Sequence, residues 1–328
     1  MMRITFGQMK AQFENVLLKA GFEVERAALC ARIFAENSRD GVYSHGLNRF
    51  PVFVQMVKDG YVRPQAEPAC LEQTGAIERW DGQRAPGMYT ATLAMDRAIA
   101  LAKKHGLGAV AVRNTNHWMR GGTYGWQAVA AGCVGICATN TIANMPPWGG
   151  TAPRLGNNPL VIAVPRQEGP LVLDMAMTQF SFGKLQEYEL KGNSLHVSGG
   201  YNSHGELTTD PAAIRESGRA VPIGFWKGSG LSLMIDVLVA SLSGGRTVSQ
   251  VTAEGTEAGV SQFFLCIKAE NLDPAISDEI IRFAKSSPVG AAGEEIRYPG
   301  ESTLATRLRN EQEGIPVNEE IWQQVLAL

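Results

Sequence analysis

The spacing of apolar residues changes twice along this chain, and that change limits the folds it can adopt. Apolar residues recur with helical spacing over the first 60 residues and again over the last third, whereas the middle alternates helices with short apolar strands. This order predicts an α/β protein in which a mixed-sheet domain is inserted between helical segments from the two ends. We expect residues 1–75 and 272–328 to form one discontinuous helical domain, and residues 76–271 to form the mixed α/β domain.

Local signals predict helices at both ends. Thr5 and Gln8 have the spacing of a capping box, in which each side chain satisfies a free backbone N–H of the first turn. Asp273 followed by Pro274 is typical of a helix start, and Asn318 precedes a terminal apolar helix in the same way.

The middle of the chain contains the strand signals. A helix over Ala91–Lys104 leads into the first of these strands. The apolar runs that predict strands are Ala109–Val112, Val134–Thr139, Leu160–Val164, Leu171–Leu173 and Gln262–Ile267. The third and fourth runs are expected to pair through a turn. The segment from Lys191 to Arg219, rich in part in Gly, Ser and Asn, is expected to be loop.

One glycine motif argues against a Rossmann domain. Gly106-Leu107-Gly108 with Ala111 matches the dinucleotide fingerprint, but a helix precedes it and a strand follows. The fingerprint needs the reverse order, because the amides of a helix N-terminus must face the pyrophosphate. We therefore interpret these glycines as a helix stop, and nothing else in the sequence supports a Rossmann fold.

Composition excludes several function classes. Lys and Arg number 30 against 32 Asp and Glu. The chain therefore lacks the excess of basic residues that would indicate a nucleic-acid-binding surface. The five cysteines are irregularly spaced, which favours reduced thiols in a cytoplasmic protein. The N-terminus has no apolar signal region, and the longest apolar run, Leu231–Leu242, is short and contains Asp236, so no membrane segment is expected.

A glycine-rich segment precedes that apolar run. It reads Gly224-Phe225-Trp226-Lys227-Gly228-Ser229-Gly230, and a helix is expected to start after Gly230. Small residues let a phosphate approach the backbone, while a helix N-terminus and Lys227 favour negative charge. The alternative is a tight loop with a solvated lysine, and both interpretations stay open.

A second candidate site is Ser44-His45-Gly46-Leu47-Asn48-Arg49. Pro51 fits a helix only in its first turn, so the helix is expected to begin close to His45 and Gly46. His45 and Arg49 would then share one face. A histidine can transfer a proton near neutral pH, and an arginine can grip a carboxylate, a combination that suits keto-acid reduction. The alternative is a capped helix start with a surface arginine.

Polar residues also follow two predicted strands. Asn116 and His117 come after Ala109–Val112, where they can face a ligand, although His117 packed under a neighbouring tryptophan is an equal alternative. Asp174 follows Leu171–Leu173 and can accept from a ribose, orient another group or cap a helix. The remaining histidines have no partners at metal-ligand spacing, so no metal is predicted.

These motifs resemble those of the type-2 malate/lactate dehydrogenase family over essentially the whole chain. The matching motifs are Ser44-His45-Gly46 with Arg49, Asn116-His117, Leu173-Asp174-Met175, Trp226-Lys227-Gly228 and Pro299-Gly300-Glu301. The resemblance implies a fold unrelated to Rossmann proteins, an NADH-dependent reductase, and a homodimer with the cofactor near the subunit interface. It implies that His45 is the proton donor. The residues it assigns to the cofactor are Pro170, Leu171, Val172, Leu173, Asp174, Met175, Ala176, Trp226, Lys227, Gly228, Gly300, Glu301 and Ser302.

The expected function is hydride transfer to a small anionic keto acid. Arg49 would hold the carboxylate, His45 would protonate the alkoxide, and His117 with Asn116 would position or polarise the carbonyl. The same scaffold could instead serve malate, lactate, ureidoglycolate or a cyclic imino acid. Two other classes also stay open: a non-catalytic sugar-acid-binding protein, and a cofactor-free isomerase or hydrolase.

Overall fold

The computed structural model describes residues 2–270, 272–290 and 295–328. Asn271, the last residue of the predicted central domain, and residues 291–294 of the predicted helical domain lie outside the described residues. The helices are α1 Phe6–Lys19, α2 Val24–Arg39, α3 Phe50–Lys58, α4 Gly87–His105, α5 Gly122–Ala130, α6 Phe182–Leu190, α7 Pro211–Ser217, α8 Trp226–Ser243, α9 Val248–Ala253, α10 Pro274–Lys285, α11 Glu301–Glu313 and α12 Glu319–Ala327. The strands are β1 Arg3–Ile4, β2 Ala69–Thr74, β3 Ile77–Asp81, β4 Leu107–Asn116, β5 Cys133–Thr139, β6 Ala143–Met145, β7 Leu155–Gly156, β8 Leu160–Val164, β9 Leu171–Met175, β10 Gly200–Tyr201, β11 Leu207–Thr208, β12 Ala258–Lys268 and β13 Ile315–Pro316.

A seven-stranded mixed sheet forms the centre, in the order β2-β3-β4-β12-β5-β8-β9. Strands β3 and β4 run parallel, and the other neighbours in this sheet run antiparallel. The predicted mixed α/β class is confirmed, as is the predicted pairing of β8 with β9. The sheet begins at Ala69, so the predicted domain boundary after residue 75 falls in the turn of the β2–β3 hairpin.

Helices cover both faces of this sheet. Because side chains alternate along a strand, Phe264 and Cys266 of β12 pack with α4 and α5, whereas Phe263 faces α8. Val110 and Val112 of β4 join the first of these clusters. Strand β4 thus crosses the buried centre, and the residues that follow it emerge at one end of the sheet.

The two ends of the chain meet in a separate helical layer. Strand β1 pairs with β13, and α1, α2, α3 and α12 enclose a buried cluster in which Phe13 stacks on Phe50 with ring centroids 4.2 Å apart. The predicted caps are confirmed: Thr5 and Gln8 form a capping box, and Asp273 and Asn318 each accept a backbone N–H. This layer carries the His45 segment to the end of the sheet.

Two predictions of secondary structure between residues 191 and 243 are wrong. Helix α8 begins at Trp226 rather than after Gly230, because Phe225 turns the chain at φ 59° and the first turn packs closely on Ile223. The range 191–219 is not all loop. It contains α7, begun by Asp210, and the β10–β11 hairpin, since its scattered apolar residues pack against α6.

Within the described part of the chain, no helix combines the length and apolar character that crossing a bilayer requires. All five cysteines lie in that part and are free thiols, with Cys70 exposed and the other four buried.

Candidate active site

The His45 segment differs from the predicted single helix. Two short 3-10 turns, Tyr43–His45 and Leu47–Arg49, are separated by Gly46, and α3 begins only at Phe50. A side chain at position 46 would lie 2.2 Å from Ser38 Oγ, so only glycine lets this bend press against α2. Pro51 does lie in the first turn of α3, as predicted.

One ring nitrogen of His45 is engaged and the other is free for chemistry. Ser44 Oγ lies 3.0 Å from His45 Nδ1, and Asn37 donates to the His45 carbonyl at 2.9 Å. Burial, reinforced by the charges of Arg49 and Arg120, lowers the pKa of His45 to about 4. His45 is therefore neutral near pH 7 in the free protein, with Nε2 available for proton transfer.

His117 stacks beside His45. The ring centroids are 5.6 Å apart and the planes lie 20° from parallel. The Met119 N–H donates to His117 Nδ1 at 2.9 Å, so the neutral ring carries its proton on Nε2. Burial, with the charges of Arg49 and His45, holds the pKa of His117 well below its ordinary value. His117 is thus a fixed hydrogen-bond donor at the end of β4.

Arg49 and Glu257 bring opposite charges to this histidine pair. Glu257 Oε1 lies 3.8 Å from His117 Nε2. Burial raises the pKa of Glu257 to about 7, although the charge of Arg49 opposes this shift. Within the described residues, the side chain of Arg49 forms no hydrogen bond or ion pair. An unpaired guanidinium beside two neutral imidazoles is suited to binding an anion.

Asn116 lies in the same cluster, and its side-chain nitrogen is bound to the backbone. Its amide nitrogen donates to the carbonyls of Tyr61, Arg84 and Ala85 at 3.2, 2.8 and 3.0 Å, and its side chain is buried. These bonds use its donors to hold the chain that leads into α4. The role of Asn116 in positioning or polarising a substrate carbonyl stays a prediction.

Arg120 links the histidines to the predicted cofactor strand. Its guanidinium donates to Asp40 at 2.8 Å, and its Nε lies 3.7 Å from Asp174 Oδ2. The Gly122 N–H, at the start of α5, donates to the same Asp174 oxygen at 2.8 Å. Asp174 thus lies at the junction of β9 and α5, near the charge that acts on His45.

Two of the three predicted cofactor segments contact each other. The Val172 N–H on edge strand β9 donates to the Pro299 carbonyl at 2.9 Å. Gly300 turns at φ 99°, and a side chain there would lie 3.1 Å from the Val172 nitrogen. Glu301 accepts from the Tyr298 N–H at 3.0 Å and pairs with Lys285. Its neighbour Ser302 accepts from Arg297 at 3.1 Å. Glu301 and Ser302 therefore begin α11.

The third predicted segment, Trp226-Lys227-Gly228, forms the first turn of α8. The chain after β9 leads to it, because the Ile223 N–H donates to the Met177 carbonyl at 2.8 Å. Trp226 and Lys227 are exposed, but a side chain at Gly228 would meet the Ile223 carbonyl at 2.3 Å. Helix packing thus requires glycine at position 228, and its predicted contact with the cofactor stays a prediction. Gly230 faces open space.

Comparison with known proteins identifies the family. A sequence profile of malate/L-lactate dehydrogenase matches residues 4–326. The chain is 46% identical to the 2,3-diketo-L-gulonate reductase of Citrobacter koseri, with 100% of both chains covered. This chain belongs to the malate/L-lactate dehydrogenase family. The malate dehydrogenase of Entamoeba histolytica superposes with a TM-score of 0.92 at 25% identity, covering 99% of this chain and 96% of that one. The sulfolactate dehydrogenase of Methanocaldococcus jannaschii gives 0.90 at 29% identity, covering 100% and 98%.

Family membership confirms the prediction of an oxidoreductase, and dehydrogenases of this family are nicotinamide-dependent. The side chains around β9 fit such a cofactor. Arg120 Nε and Thr178 Oγ1 are buried without a hydrogen-bond partner among the described residues, which leaves polar groups for a ligand to satisfy. Lys227 adds an exposed cation at the N-terminus of α8.

Glu257 was missed in the sequence because no local motif marks it. It follows a short glycine-containing turn and precedes β12, a common setting for a solvated acid. The antiparallel pairing of Ala258 with Asn116 is what brings Glu257 opposite His117. Only the pairing of β12 with β4, which are distant in sequence, could have indicated it.

Proposed function

We propose that this protein uses NADH to reduce 2,3-diketo-L-gulonate to 3-keto-L-gulonate. The observation that carries the proposal is the full-length identity of 44–46% to 2,3-diketo-L-gulonate reductases, combined with an unpaired Arg49 beside His45 and His117. Arg49 binds the substrate carboxylate, and the Nε2–H of His117 donates to the ketone oxygen. The cofactor supplies the hydride.

In this proposal His45 is the general acid. Ser44 engages Nδ1, so Nε2 is the atom that takes up a proton on substrate binding and passes it to the developing alkoxide. His45 is neutral in the free protein, and part of the reason is the charge of Arg49. A carboxylate on Arg49 offsets that charge and raises the proton affinity of His45. Substrate binding thus favours protonation of His45, against the burial that is the larger cause of its low pKa. In the reverse direction, neutral His45 already has the form of a base.

The cofactor is held, in this proposal, by the strand Pro170–Ala176, by Trp226 and Lys227, and by Gly300 with Glu301 and Ser302. Asp174 and Arg120 lie between these segments and His45, at the distances given above. Support comes from the contact of β9 with Pro299 and from the unpartnered Arg120 Nε. The preference for NADH over NADPH follows the family resemblance.

We also propose a homodimer in the cytoplasm. Helix α8 presents exposed apolar side chains at Leu233, Met234, Val237 and Leu238, a face that a second subunit would cover. Light scattering should then report twice the chain mass of 35.4 kDa. The free cysteines support a reducing compartment. The discontinuous helical domain and the inserted non-Rossmann cofactor domain belong to the same proposal.

The decisive experiment is NADH oxidation by the purified protein with a panel of keto acids and a matching NADPH series. We expect 2,3-diketo-L-gulonate to give the highest kcat/KM, with oxaloacetate, pyruvate and a cyclic imino acid well below it. Quenching of tryptophan fluorescence on NADH addition tests cofactor binding separately. A protein that binds the sugar acid but not NADH would instead be a sensor or an isomerase.

A further inference from the structure

Glu257 is held beside the reacting groups by the sheet itself. Strand β12 pairs antiparallel with β4, and Ala258 lies opposite Asn116. The next pair outward is Glu257 with His117, whose Nε2 and Oε1 atoms are 3.8 Å apart. This distance exceeds that of a hydrogen bond, so the carboxylate lies beside the imidazole without binding it.

The carboxylate of Glu257 also has no hydrogen-bond donor from the described residues, although it keeps some contact with solvent. Only 18% of its side chain is exposed. Glu254, three residues earlier, is held by Arg84 at 2.7 Å and by Arg246. Acidic groups that serve only the fold are paired in this way, and a half-buried one without donors indicates a ligand that supplies them.

The charges of the cluster can accommodate one carboxylate and no more. Within the described residues Arg49 is the unpaired cation near Glu257, whereas Arg120 is bound to Asp40 and keeps only its Nε without a partner. His45 and His117 are neutral near pH 7. A substrate with one carboxylate can occupy Arg49. Above about pH 7, where Glu257 is ionised, a second carboxylate on the same side would meet a like charge without a cation to offset it.

Building on the reductase function proposed above, we propose that Glu257 determines substrate specificity. Its carboxylate accepts a hydrogen bond from a hydroxyl group of the substrate chain beyond the ketone, and it excludes keto acids that carry a second carboxylate there. Hydrogen bonds to a charged acceptor are the stronger kind, so a hydroxylated monoanion gains affinity where a dicarboxylate is repelled. Glu257 thereby separates sugar-acid reduction from malate-type chemistry on one scaffold.

The test compares three keto acids in wild type and Glu257→Gln. Oxaloacetate is a dianion, pyruvate is a monoanion without hydroxyls, and 2,3-diketo-L-gulonate is a hydroxylated monoanion. Glutamine keeps the size of the side chain and removes the charge. The ratio of kcat/KM for oxaloacetate to that for pyruvate should rise roughly 10-fold or more, and the ratio for diketogulonate to pyruvate should fall roughly 10-fold.

The control is Glu270→Gln, which removes an exposed charge paired with Lys268 at the far end of the same strand, and it should leave both ratios unchanged. Glu257→Asp, which keeps the charge one methylene further back, should give intermediate ratios and serves if the glutamine variant does not fold. A role limited to folding would change all three substrates together, so unchanged ratios in folded Glu257→Gln overturn the inference.

Failure of the proposed function would look different. A wild-type protein that oxidises no NADH with any of the three acids contradicts the reductase proposal. Calorimetric titration with oxaloacetate and pyruvate then still measures the discrimination by binding alone. Wild type that binds both acids equally, or Glu257→Gln that keeps the wild-type preference, contradicts the role of Glu257.

Discussion

Two groups of charged side chains lie near His45, and they differ in how their charges are satisfied. In the first, the buried Asp40 carboxylate accepts two hydrogen bonds from Arg307 at 2.8 and 2.7 Å and others from Arg120 and Arg39 at 2.8 and 3.2 Å. In the second, the side chains of Arg49 and Glu257 have no hydrogen-bond partner among the described residues. Asp40 follows α2 directly and Arg49 lies in the turns after it, whereas Arg307 and Glu257 belong to distant parts of the chain.

The contrast separates charges that hold the fold from charges kept for a ligand. Burial alone would raise the pKa of Asp40, but the hydrogen bond from Arg307 and the charges around it hold that pKa below its ordinary value. For Glu257 the single opposing charge of Arg49 does not overcome burial. A fully paired acid contributes to folding, whereas an unpaired one costs stability that a ligand recovers.

The largest effect is expected at His45, beside the unpaired group. Loss of a general acid typically lowers turnover ~10²–10⁴-fold, so His45→Ala should lose kcat on that scale while NADH affinity and thermal stability stay near wild type. Steady-state kinetics at saturating substrate and fluorescence titration with NADH check this. His105→Ala, at the exposed end of α4, is the matched control. Wild-type turnover in folded His45→Ala would transfer the acid role to His117 or a bound water.

A substitution in the paired group around Asp40 should lower stability rather than turnover. Asp40→Asn leaves Arg307 and the buried Arg120 without their common anion, and breaking such a buried pair costs about 3–5 kcal/mol of unfolding free energy. Urea unfolding measures this loss, with the exposed Asp59→Asn as control. The molecules that remain folded should keep most of their turnover. A variant as stable as wild type would show that the network is not structural.

Arg49→Met tests whether the unpaired group binds the substrate. Removal of a charged hydrogen-bonding partner costs roughly 1.5–3 kcal/mol, so KM for the keto acid should rise about 10- to 100-fold. NADH binding should not change, because Arg49 is not assigned to the cofactor. The exposed Arg282→Met on α10 is the control. An unchanged KM would mean that another cation binds the carboxylate.

How far the sequence predicts this molecule depends on the range of the interactions involved. Caps such as Thr5 with Gln8 and the pairing of β8 with β9 were predicted, because the partners are near in sequence. The start of α8 was not, since tertiary packing around Gly228 overrides the low helix propensity of glycine.

The residues of the candidate site were likewise predictable only where they lie close together in sequence. His45 and Arg49 lie within one short segment, and their motif was recognisable. The pairing of Arg120 with Asp40 spans 80 residues, and the approach of Glu257 to His117 depends on strands far apart in the chain. Such contacts are set by sheet order, which no local pattern encodes.

The smallest expected effect is a difference between Glu257 and Asp40 in how each makes protein stability depend on pH. The pKa of Glu257 is raised to about 7 from 4.5, so its contribution to stability is present below about pH 4.5 and is lost as pH rises through about 7. The lowered pKa of Asp40 has the opposite effect. Its contribution to stability is present above the ordinary pKa of 3.8 and is lost as pH falls through the pKa of the folded state.

Glu257→Gln should therefore gain unfolding free energy relative to wild type between about pH 5 and about pH 8, on the order of 1 kcal/mol, since partial exposure screens the charge. Urea unfolding across this range measures the gain, and Glu270→Gln should run parallel to wild type. A difference between Glu257→Gln and wild type that does not change with pH would show that Glu257 keeps an ordinary carboxyl pKa and that the two groups do not differ in this respect.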